Sequence, residues 1–362
     1  MQPAGVPEGS LAMRIAQIAP LTESVPPRLY GGTERVVSFL TEELVRQGHE
    51  VTLFASGDSV TAAQLAPMVP RALRFETGLR DAMAPMLLTL EEVYRRADEF
   101  DVLHFHLDYW SYPLFSRQRT PFVTTLHGRL DLPELRPVYA RFNDVPVVSI
   151  SDAQRRPLPE ANFVATVYHG LPLDLLTPRP VKPRYLAFLG RISPEKSPDR
   201  AIRIARRAGI PLKIAAKVDR VDEEYYRMKI RPMIDGRHVE MIGEIGDAAK
   251  PDFLSGASAL LLPIDWPEPF GLVMIEAMAC GTPVIAFPSG SVPEVIEDGL
   301  TGFVVPNEAA AVAAVGRLGE LSRSAIRARF EERFSVERMA ADYLTLYRGL
   351  AAQARPRLRA VG

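Results

Sequence analysis

Short apolar runs alternate along the chain with longer segments in which apolar residues recur every three or four positions. From Met13, the run MRIAQIAP is followed by the loop LTESVPPRLYGG, the periodic stretch TERVVSFLTEELVRQ and the run HEVTLFAS. The runs predict buried strands, and the periodic stretch predicts an amphipathic helix. A strand, a helix and a strand in this order predict a parallel unit with a right-handed crossover. Further strands are predicted at DVLHFHL, PFVTTLH and VPVVSIS.

The same pattern starts again in the second half of the chain. RYLAFLG reads as a strand, SPEKSPDRAIRIARRAG opens a helix, and PLKIAAK is the next strand. Ser197 is the predicted cap of this helix and Pro198 its first residue. Four further runs extend the second sheet: VEMIGEIG, ALLLPID, PVIAFPS and GFVVP. The tail SVERMAADYLTLYRGLAAQ predicts one long amphipathic helix.

This organisation predicts an α/β protein with two doubly wound, Rossmann-like domains that face a cleft. The prolines between residues 171 and 185 interrupt any regular element and mark the boundary. We expect an N-terminal domain over residues 13–172 and a C-terminal domain over residues 182–334. Ligands of such sheets bind at the carboxyl ends of the strands, so the chemistry is expected in the cleft.

Composition narrows the class of protein. The 362 residues are 47% hydrophobic and 24% charged with a net charge of -1, which fits a globular protein and argues against a general nucleic-acid binder. The single cysteine, Cys280, excludes internal disulfides and cysteine-based metal cages and fits a cytoplasmic protein. Residues 1–12 do not resemble a signal peptide, Met13 is an alternative start, and no run is long enough to cross a membrane. Peripheral membrane contact stays open.

Two loops are candidate anion sites. Gly31 and Gly32 precede a helix whose first N–H groups point outward, although a plain glycine turn is the alternative. Arg191 and Lys196 lie between a strand and a helix, where two cations suit a diphosphate, with a solvated basic loop as the alternative.

The stretch PEPFGLVMIEAMACG carries two carboxylates in and before an apolar helix. The helix is predicted to start near Gly271, which leaves the amides of Phe270, Gly271 and Leu272 available to an anion. Glu276 would then lie one turn along and Glu268 just before the helix, which suits a nucleotide sugar with its diphosphate on the helix end. The alternative is that both acids complement the helix dipole.

The histidines are the remaining candidates. His127 ends a strand at the edge where ligands bind, and a structural role is the alternative. His104, His106 and Asp108 share one strand face, but residues adjacent on one face rarely converge on a metal ion, so no metal site is predicted.

Glu268 and Glu276, separated by seven residues within EPFGLVMIEAMACGTPVIA, resemble the E-x7-E signature of retaining family 4 (group 1) glycosyltransferases, which have the GT-B fold. YGGTERVV is similar to the first glycine loop of that family, DVLHFHLDY to its third-strand region and GRISPEKS to its diphosphate loop. GSVPEVIEDGLTGFVVP is similar to its C-terminal stretch, so the resemblance covers nearly the whole chain. It also implies that the last helix, residues 335–353, crosses back to the N-terminal domain.

The resemblance implies a role for each motif residue. Glu276 would hold the ribose, Glu268 the donor sugar hydroxyls, and Arg191 with Lys196 the departing diphosphate, while His127 would contact the donor sugar. The implied enzyme moves a hexose from a UDP- or GDP-sugar to an unidentified hydroxyl acceptor with retention, and needs neither metal nor cofactor. Two alternatives stay open: a sugar-nucleotide 2-epimerase of the same fold, and a two-domain sugar-binding protein without catalysis.

Overall fold

The computed structural model of the chain describes residues 12–28 and 31–354. The predictions for residues 1–11 and for Tyr30 of the glycine loop lie outside these ranges. Within them, two parallel sheets are present, each covered by helices, which confirms the predicted α/β class.

In the described part of the chain, the first sheet has seven strands in the order β3-β2-β1-β4-β5-β6-β7, and every pair is parallel. Its strands are β1 (Arg14–Ile18), β2 (Glu50–Ser56), β3 (Gln64–Val69), β4 (Val102–Phe105), β5 (Phe122–Thr125), β6 (Pro146–Ser149) and β7 (Asn162–Thr166). The sequence pattern missed the edge strands β3 and β7. Edge strands are covered on fewer sides, so β3 tolerates Pro67 and β7 has no fully buried residue.

The second sheet has six parallel strands among the residues that the structure describes, in the order β10-β9-β8-β11-β12-β13. They are β8 (Tyr185–Arg191), β9 (Leu212–Lys217), β10 (Val239–Gly243), β11 (Ala257–Leu262), β12 (Val284–Ala286) and β13 (Gly302–Val304). All six match predicted runs. The interior strands β9, β8, β11 and β12 are largely apolar because helices cover both of their faces. The edge strand β10 instead alternates apolar and polar residues, which is also a strand pattern.

Helices connect the strands and cover the faces of both sheets. In chain order they are α1 (Gly32–Arg46), α2 (Met83–Arg95), α3 (Tyr112–Phe115), α4 (Leu135–Arg141), α5 (Asp152–Arg155), α6 (Pro198–Ala208), α7 (Glu223–Tyr225), α8 (Lys250–Ser255), α9 (Leu272–Ala279), α10 (Val292–Val295), α11 (Glu308–Gly316), α12 (Arg323–Arg333) and α13 (Val336–Ala354). Ser197 does precede α6, but its hydroxyl donates to the Pro194 carbonyl instead of capping the helix.

The chain divides into two compact units. Of the described residues, one unit contains those up to Ile150, residues 157–167 and residues 339–354, while the other contains residues 151–156 and 168–338. Helix α13 therefore begins in the second unit and continues in the first. Each unit has its own apolar core: Phe54, Phe105 and Phe115 belong to the first, and Phe188 and Ile214 to the second.

No described helix is long and apolar enough to traverse a bilayer.

Candidate functional site

Helix α9 starts at Leu272, immediately after a glycine that the local geometry requires. Gly271 has φ 80° and ψ 71°, in the left-handed region that favours glycine. A Cβ on Gly271 would lie 2.7 Å from Met274 Cε and 3.2 Å from Glu268 Cγ. In the described part of the chain, the amides of Phe270, Gly271 and Leu272 donate no hydrogen bond. The start of α9 and its available amides therefore agree with the prediction.

Glu268 lies beside this helix start and is paired with Lys196. The Lys196 Nζ donates to Glu268 Oε2, and the Trp266 indole N–H donates to the same oxygen at 3.0 Å. Lys196 also lies over the Trp266 ring, 4.8 Å from its centroid. The structure thus brings together two predicted site residues that are 72 positions apart in sequence.

A neighbouring loop, residues 288–291, holds the backbone around Glu268. The Ser291 amide donates to the Glu268 carbonyl at 2.9 Å, and the Ser291 hydroxyl donates to the Phe270 carbonyl at 2.7 Å. Gly290 lies so close that an added Cβ would be 2.2 Å from the Glu268 carbonyl oxygen. Ser291 and Gly290 belong to GSVPEV, so this segment positions the Glu268 loop. The sequence prediction named neither residue.

Glu276, inside α9, is buried and bonded to a residue that the sequence prediction missed. The Lys250 Nζ donates to Glu276 Oε1 at 2.6 Å and lies 3.0 Å from Asp247 Oδ1. Glu276 and Lys250 are 4% and 8% exposed, so both charges are almost removed from water and each requires the other. The helix dipole alone therefore does not account for the buried Glu276, because the Lys250 ammonium balances the charge of its carboxylate.

One signal could have identified Lys250. It is the first residue of α8, where a positive charge opposes the helix dipole and is unfavourable without a carboxylate partner. Asp247 and Glu276 are the carboxylate partners of Lys250.

Arg191 ends β8 and lies among carboxylates. Its guanidinium is 3.4 Å from Glu195, 3.8 Å from Asp219 and 3.5 Å from Asp222. Burial raises the pKa of Asp222, and Arg191 partly offsets this increase. The sequence predicted that Arg191 and Lys196 are either solvated or bind a ligand. It did not place Asp219 and Asp222 beside Arg191, because both follow the neighbouring strand β9. Arg191 and Lys196 are thus both ion-paired with carboxylates.

In the first unit, His127 follows β5 and belongs to a chain of buried polar groups. His127 Nε2 lies 2.8 Å from His106 Nδ1, and His106 Nε2 lies 2.8 Å from Gln17 Oε1. Burial lowers the pKa of His127 to about 3, so the imidazole is neutral near pH 7.

His104 forms hydrogen bonds with Tyr347 of α13 at 2.6 Å and with Thr125 at 2.7 Å. The histidines of β4 and its C-terminal extension therefore fix α13 and His127.

Gly31 and Gly32 lie at the start of α1 in the first unit, as predicted. Gly31 is the N-cap residue with φ 154°, and a Cβ there would lie 2.7 Å from Pro27 Cβ. Glu34 occupies the first turn of α1 and is buried, and burial raises the pKa of its carboxyl. The helix end thus already holds an acidic group, which the glycine-loop prediction did not consider.

The fold has well-defined structural relatives. AviGT4, a glycosyltransferase involved in avilamycin A biosynthesis, superposes with a TM-score of 0.73 at 24% identity, covering 94% of this chain and 98% of that one. Sucrose-phosphate synthase from Thermosynechococcus elongatus superposes with a TM-score of 0.77 at 21% identity, covering 94% and 100%. These likenesses define the fold class as GT-B.

Sequence comparison identifies the family. Residues 30–175 match the profile of Glycosyltransferase Family 4, and residues 177–333 match that of Glycosyl transferases group 1. A phosphatidyl-myo-inositol mannosyltransferase from Mycobacterium leprae is 26% identical over 346 residues, covering 88% of this chain and 90% of the relative. A D-inositol 3-phosphate glycosyltransferase from Kribbella flavida is 28% identical over 348 residues, covering 76% and 79%. The chain belongs to the family 4 glycosyltransferases and is an enzyme of that class, as the E-x7-E signature predicted.

Proposed function

We propose that this glycosyltransferase moves a hexose from a UDP- or GDP-sugar to a hydroxyl acceptor and retains the anomeric configuration. The observation that carries the proposal is the start of α9, where available amides, the Lys196–Glu268 pair and the buried Glu276–Lys250 pair occur together. The relatives found by sequence are transferases by name, which does not favour an epimerase or a non-catalytic binding protein.

The helix end is the proposed diphosphate site. Backbone N–H groups and the helix dipole at an N-terminus favour a bound anion. Lys196 adds a full positive charge near this end of α9 through its contact with Glu268. When the sugar–phosphate bond breaks, negative charge develops on the diphosphate, and Lys196 and Arg191 stabilise it. We propose that these cations and the helix end take the place of a metal ion.

The two glutamates are the proposed contacts on either side of the diphosphate. Glu276 lies four residues beyond Leu272, roughly 6 Å along the helix axis at 1.5 Å per residue. It is proposed to accept hydrogen bonds from the ribose hydroxyls, with Lys250 holding the carboxylate in place. Glu268 is proposed to accept from donor sugar hydroxyls, and His127 to contact the donor sugar. Family resemblance supports these roles, and the charges and burial are compatible with them.

The retaining outcome rests on the family resemblance. In this scheme the leaving phosphate helps to deprotonate the acceptor hydroxyl on the same face of the sugar, so no side-chain nucleophile takes part. Two relatives are named for inositol-containing compounds, so inositol and its phosphates are the first acceptors to test.

A thermal-shift screen of UDP- and GDP-sugars tests the donor class. A donor that binds only the folded protein raises Tm by mass action. Glu276→Gln keeps an acceptor for Lys250 but removes the charge, and should weaken donor affinity about tenfold, corresponding to a loss of about 1.5 kcal/mol from a charged hydrogen bond. Glu240→Gln, an exposed acid on β10, is the matched control and should bind the donor normally.

Product analysis tests the reaction. The anomeric coupling in the proton NMR spectrum of the transfer product should match that of the donor. An inverted product would contradict the retaining mechanism, and unchanged donor affinity in Glu276→Gln would exclude the ribose role.

A further inference from the structure

A continuous series of hydrogen-bonded side chains ends at His127. The donor and the acceptor of each of its hydrogen bonds can be derived. Gln17 on β1 is fully buried and lies between two partners: its Oε1 faces His106 Nε2 at 2.8 Å, and its Nε2 donates to the Tyr347 hydroxyl at 3.2 Å. An amide oxygen only accepts and an amide nitrogen only donates. Gln17 therefore imposes a direction on the hydrogen bonds on both of its sides.

On the His106 side, the direction reaches His127. Because Gln17 Oε1 accepts, His106 must carry its proton on Nε2. A neutral imidazole that carries its proton on Nε2 has a lone pair on Nδ1, so His106 Nδ1 accepts a hydrogen bond. Its partner at 2.8 Å is His127 Nε2, which must then be the protonated nitrogen of His127.

On the Tyr347 side, the direction reaches His104. The hydroxyl of Tyr347 accepts from Gln17, and within the described chain its other hydrogen-bond partner is His104 Nδ1. Tyr347 therefore donates its proton to Nδ1, and His104 carries its own proton on Nε2. That N–H donates to the Thr125 hydroxyl at 2.7 Å. The low pKa of His104, caused by burial, agrees with a neutral ring.

We propose that Gln17 is a positioning residue that holds His127 in the tautomer protonated at Nε2, acting through His106. Turning the Gln17 amide by 180° would reverse every hydrogen bond and move the proton of all three histidines to Nδ1. One buried amide on β1 thus selects the imidazole nitrogen of His127 that can accept a hydrogen bond. The consequence for catalysis rests on the proposed role of His127 at the donor sugar.

Nitrogen-15 NMR of the histidine side chains in the full-length protein tests this order, because the two neutral tautomers have distinct Nδ1 and Nε2 shifts. The expected result is the Nε2–H tautomer at His104, His106 and His127. Tyr347→Phe removes the acceptor of the Gln17 amide without touching His127, and should give His127 a mixture of tautomers. Tyr139→Phe, an equally buried change in the same unit, should leave the His127 spectrum unchanged.

Gln17→Met keeps the length of the side chain and removes both hydrogen bonds, and serves as the second variant if Tyr347→Phe does not fold. It should also give a mixture at His127. An even mixture halves the competent population, so apparent donor affinity should fall about twofold. The Nδ1–H tautomer in the unaltered protein, or a single tautomer kept in Gln17→Met, would overturn the proposal. If the spectra agree but no sugar transfer is found, the positioning stands and the proposed function fails.

Discussion

The candidate residues of the two units are held by opposite kinds of interaction. In the second unit, Lys196 pairs with Glu268 and Lys250 with Glu276, so each site residue is held by a full opposite charge. In the first unit, His127 is held by neutral groups that lead to Gln17. A lysine of an ion pair can exchange its carboxylate for a bound anion. In a series of neutral hydrogen-bonded side chains, each donor and each acceptor keeps its role. The candidate residues of the second unit are thus held by ion pairs, and the candidate histidine of the first is held by hydrogen bonds.

The largest expected effect comes from breaking a buried ion pair. Lys250→Met leaves the Glu276 carboxylate buried without its ammonium partner, which should lower the free energy of unfolding by about 3–5 kcal/mol. Urea unfolding measures this change. Lys213→Met is the matched control, because Lys213 pairs with Glu240 at the surface and should contribute less than about 1 kcal/mol.

A double variant shows whether the isolated charge is the cause. Lys250→Met with Glu276→Leu removes both charges and should recover much of the lost stability. A double variant as unstable as Lys250→Met alone would contradict this explanation.

A somewhat smaller effect is expected on turnover from Lys196. Lys196→Met removes the positive charge next to Glu268, and kcat should fall about 100-fold, equivalent to about 2.7 kcal/mol of transition-state stabilisation. Steady-state kinetics of sugar transfer measure kcat and KM separately. Lys182→Met, an exposed lysine of the same unit, should leave both values unchanged. An increase in KM without a change in kcat would limit Lys196 to donor binding.

The smallest expected effect at neutral pH is the contribution of His127 to stability, which appears only as the pH falls. The pKa of His127 is about 3 in the folded protein, below the ordinary value of about 6.5 in the unfolded chain. As the pH falls below about 6.5, the unfolded state gains a proton that the folded state does not bind, so stability decreases. The slope of the free energy of unfolding against pH reports how many more protons the unfolded state binds. His127→Asn should lower that number by at most one between about pH 6.5 and 3. An unchanged slope in urea unfolding at several pH values would show that His127 titrates normally.

Much of the fold could be predicted from local patterns. In the second sheet, β8, β9, β11, β12 and β13 follow largely apolar runs, and the edge strand β10 follows an alternating apolar pattern. The start of α9 follows from Gly271 before an apolar stretch. Strands β3 and β7 could not be predicted in the same way. Pro67 interrupts β3, and β7 contains no buried residue, so neither has the apolar pattern that marked the strands of the second sheet.

The site was only partly predictable, for a related reason. Glu268 and Glu276 were identified because their spacing relative to a helix start is local. Their partners were not, since Lys250 is 26 positions from Glu276 and Lys196 is 72 positions from Glu268. Lys196 itself was predicted to bind a diphosphate, but its pairing with Glu268 depends on the fold. Two of the carboxylates around Arg191, Asp219 and Asp222, were missed because they follow the neighbouring strand β9.

The sequence by itself therefore determined the two-sheet α/β class, the family signature and the position of the carboxylates along α9. Periodicity, caps and glycines act between near neighbours, so they can be recognised in a linear chain. Only the tertiary structure decided which buried polar groups meet. Gln17 and Tyr347 are 330 positions apart, and their hydrogen bond exists because α13 packs against the first sheet. A buried polar group must find a partner, but the fold determines which partner lies within reach.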